Sequence, residues 1–393
     1  MDPYSIIFPF VVFLTALFTT HFLTKSFGAP TEMGRQSTLD GLRGILAFTV
    51  FLCHAGAWHH FLKTGGDFNV PVTGPFAQFG KSSVYMFFMI TGFLFTTKIM
   101  NERKAGVDWT RLFVSRALRI FPLYFVAVTV MVFIAMFESG FQINESWVDF
   151  LLDIVRWFTF TVFGSPLINN YNLTRVINSS VEWTLVYEWL FYASLPLLAL
   201  LLHIRVKAFY IAASVVMVLL FVINMQDLFF PTGFLAGILT AIFFRVNRIN
   251  LLLTQHIFSV IAIALLVFQA WYSPEAAYQQ PSRIPSLCLF IVFIIIAFGN
   301  NLFGLLSSKL ARYLGEISYG VYLLHGIVLF CTFKYLVKFE HAKALPPIGF
   351  WAIVCAIAVL ILIAATFTYR TIEAPAMRKV SALSAKIKVK FNI

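Results

Sequence analysis

The stretch TLDGLRGILAFTVFLCHAGAWHH, Thr38–His60, decides how this chain is read. It is an apolar run with Arg43 near one end and His54 near the other. Eleven residues separate them, which on a helix is about 16 Å, roughly half of a bilayer's hydrocarbon core. A purely structural membrane span has little use for either group. The stretch therefore predicts a membrane helix that carries chemistry.

The rest of the chain has the same character. It has 393 residues, of which 60% are hydrophobic and only 12% charged, and its mean hydropathy is +0.85. A soluble protein carries roughly twice that charged fraction. Apolar runs recur from end to end, at about 4–24, 40–58, 80–97, 120–137, 183–202, 208–224, 229–245, 256–271, 285–303, 317–336 and 348–368. The fold expected is an all-α polytopic membrane bundle of about eleven transmembrane helices. The first run lacks a basic n-region, with Asp2 in its place, so it reads as a retained span rather than a signal peptide. Cys53, Cys288, Cys331 and Cys355 all lie in apolar runs without a CxxC pair, which leaves no disulfide scaffold and no structural zinc motif.

The net charge of +12 is distributed as a topology signal and does not imply a nucleic-acid partner. With Lys25 and Arg35 placed in the cytoplasm and the spans alternated, most of the 29 basic residues fall on the cytoplasmic side. The segment 138–182 then becomes a large outer loop. It holds Glu138, Glu145, Asp149, Asp153 and Glu182 against Arg156 and Arg175, with N-x-[ST] triplets at Asn144, Asn172 and Asn178. The N-terminus is expected outside and the C-terminus inside. Membrane lipid is an expected contact of the basic segments.

Ionisable groups inside apolar spans are costly and mark function. His54 falls in the outer half of its span. Glu188, in SSVEWTLVYEWLFYASLPLL, lies about one and a half turns below the outer edge of another span. A histidine paired with a carboxylate at similar depth suits a general base, because the carboxylate fixes the tautomer and stabilises the imidazolium. His325 lies near mid-span in EISYGVYLLHGIVLF. His59 and His60 read as loop residues at the interface, and His21, His203, His256 and His341 as peripheral. On the inner side, RLFVSRALRIFPLYF places Arg116 and Arg119 three residues apart on one helical face, a spacing suited to gripping phosphates. Plain positive-inside anchoring is by itself the commoner explanation of a basic loop. A donor with a phosphate-rich head and a thin arm, such as coenzyme A, is long enough to connect the two patches. No Ser-His-Asp set or G-x-S-x-G motif accompanies His54. Proton-coupled transport uses the same intramembrane His, Glu and Arg groups and remains the alternative reading.

Six stretches together resemble the acyltransferase 3 family of membrane O-acyltransferases. LDGLRGILAFTVFLCHAG resembles its opening helix, with Arg, ten residues, then His. FGKSSVYMFFMITGFLFT resembles the next helix, with Gly92, Phe93 and Leu94. RALRIFPLYF resembles its arginine motif, with Pro122 and Tyr124 following Arg116 and Arg119. VEWTLVYEWLFY resembles W-S-L-x-x-E-x-x-F-Y, with Thr184 in place of Ser. LGEISYGVYLLH resembles the late element ending in His325, and YRTIEAPAMR the closing E-x-P, with Glu373 and Pro375. The resemblance covers about residues 37–379. It leaves residues 1–36 as an extra span and cytoplasmic linker ahead of a ten-helix core, and 380–393 as a basic cytoplasmic tail.

The resemblance implies transfer of an acyl group, by default acetyl, from cytoplasmic acyl-CoA to a hydroxyl at the outer face. Family acceptors are surface polysaccharides, O-antigen, peptidoglycan, glycolipids and some macrolides, so a carbohydrate, glycolipid or small hydroxylated acceptor is expected. His54 is then the catalytic base, with Glu188 and Arg43 assisting. Arg116 and Arg119 hold the CoA phosphates, and His325 lines the site on the donor side. No metal is expected. The bacterial inner membrane is the expected location.

Overall fold

The computed structural model describes residues 2–28, 37–66, 68, 75–224, 229–246, 250–272 and 283–391, so most of the expected linker before residue 37 lies outside them. The described residues are helical and contain no strand. The main helices are α1 (Ile7–Phe27), α2 (Ser37–Thr64), α3 (Pro75–Asn101), α4 (Trp109–Glu138), α5 (Trp147–Phe158), α6 (Trp183–Leu201) and α7 (Ala208–Asn224). They continue as α8 (Pro231–Val246), α9 (His256–Trp271), α10 (Arg283–Ala297), α11 (Lys309–Glu316), α12 (Ser318–Cys331), α13 (Pro347–Thr368) and α14 (Val380–Phe391). Each of the eleven apolar runs overlaps one of these helices. Seven are long and apolar enough to cross a membrane, α12 being continued to Leu336 by a turn of π-helix, Thr332–Leu336, which makes this an all-α integral membrane protein. The other four, α7 to α10, have 15 to 17 residues. At 1.5 Å per residue they fall a little short of a core of about 30 Å.

The chain forms two compact units, Met1–Phe93 with Phe229–Thr366, and Leu94–Leu228 with Phe367–Ile393. The first is built around α2, which packs against α11 and α12. Glycine makes this approach close. A Cβ on Gly44 would strike Leu314 and Gly315, and one on Gly315 would strike the carbonyl of Asp40. Ser308 caps α11 by accepting from the Ala311 N–H at 3.1 Å, and the Ser318 hydroxyl ties the start of α12 to the Gly315 carbonyl at 2.7 Å. The turn between the two helices is thereby held where α2 needs it. The helix α2 also runs past the expected interface to Thr64, so His59 is a buried helical residue against Tyr4 and Phe350.

In the second unit, segment 139–182 is more than an aqueous loop. It begins at the end of α4, where Tyr171 donates to Glu138. Helix α5 then runs back along α4. The Tyr124 hydroxyl donates to the Trp157 carbonyl at 2.8 Å, and Phe158 stacks on Phe125 at 5.1 Å. Phe125 is thirteen residues from Glu138, about 20 Å along the helix. The tip goes further, with Phe160 on Phe121 at 4.7 Å. The exposed side of α5 is apolar, formed by Trp147, Val148, Leu151, Leu152 and Val155. Two of the acids assigned to an outer loop are buried and internally paired, Asp153 with Arg156 and Glu182 with Asn178. Asn178 is itself buried, so the folded chain does not present that N-x-[ST] triplet for glycosylation.

The basic tail is part of this unit too. It packs antiparallel on α4, with Glu373 at Arg119 and Lys388 at Asp108. A turn of π-helix, Tyr369–Glu373, joins α13 to the tail. Pro375 explains it: proline has no N–H for the Thr371 carbonyl, and its ring would clash with that carbonyl in a regular α-helix.

Two outcomes follow from this packing. Gly315→Val forces α11 away from Asp40 and is expected to lower stability by about 1–3 kcal/mol, read as the thermal midpoint of the detergent-solubilised chain. Partial burial works to raise the Asp108 pKa, but Lys388 and the Arg111 N–H outweigh it and hold the carboxyl below its usual value. This contribution is therefore present above about pH 4 and is lost as pH falls through the depressed pKa. The pair is partly exposed, so the effect is small. Asp108→Asn is expected to lose less thermal midpoint than wild type between pH 6 and pH 3.

Candidate active site

His54 and His325 meet across α2 and α12 in the first unit. His54 Nδ1 lies 2.8 Å from His325 Nε2, and His325 Nδ1 lies 3.1 Å from the Val321 carbonyl one turn earlier on its own helix. A carbonyl only accepts, so the hydrogen on His325 is at Nδ1 and its Nε2 is an acceptor. His54 must then donate from Nδ1. The lone pair of the pair is left on His54 Nε2. His325 is fully buried, with the edges of Phe51 and Tyr322 against it. His54 is half-buried and faces Phe68. One imidazole is thus locked inside the helix pair, and it fixes the tautomer of a second, more accessible one.

Arg43 stands on the same helix as His54. Eleven residues advance the helix by three turns and about 20°, so both project from one face of α2. Arg43 is half-buried between Gly41 and Gly44 in sequence, where α2 closes on Leu306 and on Leu314–Gly315.

The arginine motif belongs to the second unit. The Arg116 guanidinium lies over the Phe95 ring, 5.2 Å from its centroid, and Arg116 also donates to Ser115. Arg119 pairs with Glu373 at 3.0 Å and lies over Tyr369 at 5.9 Å. Glu188 joins this group. Tyr192 donates to Glu188 at 3.4 Å, and the Tyr192 ring packs on Phe95 at 5.1 Å. The next residue, Trp189, packs on Phe121 at 5.6 Å. Glu188 therefore sits at the arginine-bearing end of α4, whereas the hydropathy reading had put it near the outer edge of its span. The reason is the folding back of segment 139–182, which starts α6 well down the length of α4. In Thr184, the hydroxyl at the usual serine position donates to the Val181 carbonyl at 3.1 Å.

The structure thus sorts the six candidates into two groups. His54, Arg43 and His325 lie in the first unit, and Arg116, Arg119 and Glu188 in the second. His325, the secondary candidate for the site or its lining, is the partner of His54. Tyr369, Phe95 and Val321 were not singled out in the sequence. Phe95 directly follows the Gly92–Leu94 element, and Val321 stands one turn before His325, but neither spacing is informative without the neighbouring helix.

The acyltransferase 3 profile, described as an acyltransferase domain, matches residues 36–370. The chain belongs to this family. Nodulation protein 10 of Rhizobium leguminosarum bv. viciae is 30% identical to it over 179 residues, which is 42% of this chain and 44% of that protein. The match thus spans less than half of that relative's length. No solved structure matches the chain.

The fixed tautomer has a direct spectroscopic consequence. In protein labelled with ¹⁵N-histidine, His54 is expected to show a protonated Nδ1 and an unprotonated Nε2 at neutral pH. His325→Leu removes the acceptor, and the His54 signals should then report a mixture of tautomers.

Proposed function

We propose that the protein transfers an acyl group, by default acetyl, from acyl-CoA to a hydroxyl of a saccharide, glycolipid or related acceptor, with His54 as general base. The acceptor is taken to enter from the outer side and the donor from the cytoplasm. The observation that carries the reading is the Val321–His325–His54 chain, which leaves the basic nitrogen on the more accessible ring. Membership of the acyltransferase 3 family supports the reaction class.

In the proposed reaction the acceptor hydroxyl gives its proton to His54 Nε2 while its oxygen attacks the thioester carbonyl carbon. The His54 ring becomes an imidazolium. Its Nδ1–H still donates to His325, now as a charge-assisted hydrogen bond. The tetrahedral adduct collapses, the carbon–sulfur bond breaks, and the leaving thiolate takes the proton from His54. The products are the ester and free CoA, and the base is restored. Arg116 and Arg119 hold the phosphates of the donor, for which anchored guanidinium forks are well suited. Arg43 and Glu188 assist, each from within its own unit.

The test uses purified protein with radiolabelled acetyl-CoA and a panel of glycans and glycolipids. Wild type should release CoA and label an acceptor. His54→Ala should lose on the order of 10²–10⁴-fold in rate, with donor binding retained. Arg116→Ala should weaken donor binding. A folded wild type that does not bind acetyl-CoA, or that moves a substrate across vesicles unchanged, would sink the acyltransferase reading in favour of transport.

A further inference from the structure

Arg119 is held by two residues of a single turn. Glu373 reaches its guanidinium at 3.0 Å, and Tyr369 lies against it at 5.9 Å. Both stand on the π-helical turn that Pro375 imposes, at its first and last positions. The burial of the pair is unequal. The Glu373 side chain is 0% exposed, whereas Arg119 keeps 17%. Enclosing a carboxylate completely costs desolvation that its ion pair only offsets, and an apolar pair of similar volume generally holds helices together as well. Stability alone is therefore a poor reason for this arrangement. What it does achieve is orientation. A guanidinium recognises a phosphate through a planar fork, so its plane matters as much as its charge. Here the carboxylate ties the guanidinium on one side at 3.0 Å, and the tyrosine ring offers it a face at 5.9 Å. Arg116, one helical turn earlier on α4, is steadied by another ring, that of Phe95.

We propose that Glu373 and Tyr369 are positioning residues that hold Arg119 in the orientation in which it takes a phosphate of the acyl donor. This rests on the acyl-CoA reading above. Neither residue touches the donor, and both act through Arg119. Electrostatics alone argues for the opposite outcome: removing the Glu373 charge would leave Arg119 more positive and tighten the grip on a phosphate. Without its carboxylate, however, Arg119 loses its tie to the tail helix and turns towards water, out of register with Arg116. The two effects have opposite signs, so the experiment separates them.

The experiment measures acetyl-CoA binding to the full-length protein in detergent by titration calorimetry. It covers wild type, Glu373→Gln, Arg119→Ala, the double variant, Tyr369→Leu and Tyr369→Phe, each checked for folding by its thermal melt. Glu373→Gln is expected to raise Kd about fivefold or more. In the Arg119→Ala background the same change should have no further effect, because its partner is gone. Tyr369→Leu should weaken binding, and Tyr369→Phe, which keeps the ring, should restore it. An unchanged or lower Kd in Glu373→Gln overturns the proposal. So does an equal loss with and without Arg119, which would mark a merely structural role. If Glu373→Gln does not fold, the two Tyr369 variants decide: equal binding in Leu and Phe overturns the proposal. Failure of wild type to bind acetyl-CoA counts instead against the acyl-CoA reading.

Discussion

The contact between α2 and the α11–α12 turn is the constraint on which the first unit depends. At Gly44 and Gly315 the backbones meet with no side chain between them. In a membrane, where apolar side chains are as content in lipid as against one another, such close approach is a main source of helix association. It also sets the register of α12 on α2. Ten residues beyond each glycine of that contact stand the two histidines, His54 after Gly44 and His325 after Gly315, and their rings meet at 2.8 Å. The meeting of the two histidines at one end of the helix pair is thus prepared by packing at the other.

The second unit solves a different problem, which is to keep long cationic side chains in defined places. Left to themselves, Arg116 and Arg119 would wander into water at a membrane boundary. Here each rests against an aromatic ring, Phe95 or Tyr369, and Arg119 is tied in addition to Glu373. The segment after α13 that supplies Tyr369 and Glu373 is secured at its far end by Lys388 on Asp108. The antiparallel pairing of tail and α4 sets a basic extension along the helix that carries the arginine motif. Glu188 belongs to the same neighbourhood through Tyr192 and Phe95.

The two histidines also show how an imidazole is oriented by a neighbouring imidazole. The Val321 carbonyl and His325 together do what an aspartate does in more familiar arrangements: they fix a tautomer and orient a ring. A neutral histidine as the partner avoids placing a permanent negative charge within the helix bundle.

Much of this protein was legible in its residues. Apolar runs longer than any soluble core requires dictate membrane helices, because the backbone in lipid has no other way to satisfy its hydrogen bonds. The placement of Arg43, His54, Arg116, Arg119, Glu188 and His325 as out-of-place polar groups followed from the cost of burying them. Which of them meet was decided only by the tertiary structure. Hydropathy measures how apolar a segment is and takes no account of where the chain goes next. It therefore read 138–182 as a loop, set Glu188 at the wrong end of its helix's surroundings, and left the tail as an appendage. Pairing between residues 271 positions apart, as in His54 and His325, depends on the register of one helix against another. That register is set by close packing at glycines whose significance appears only when the facing backbone is in view.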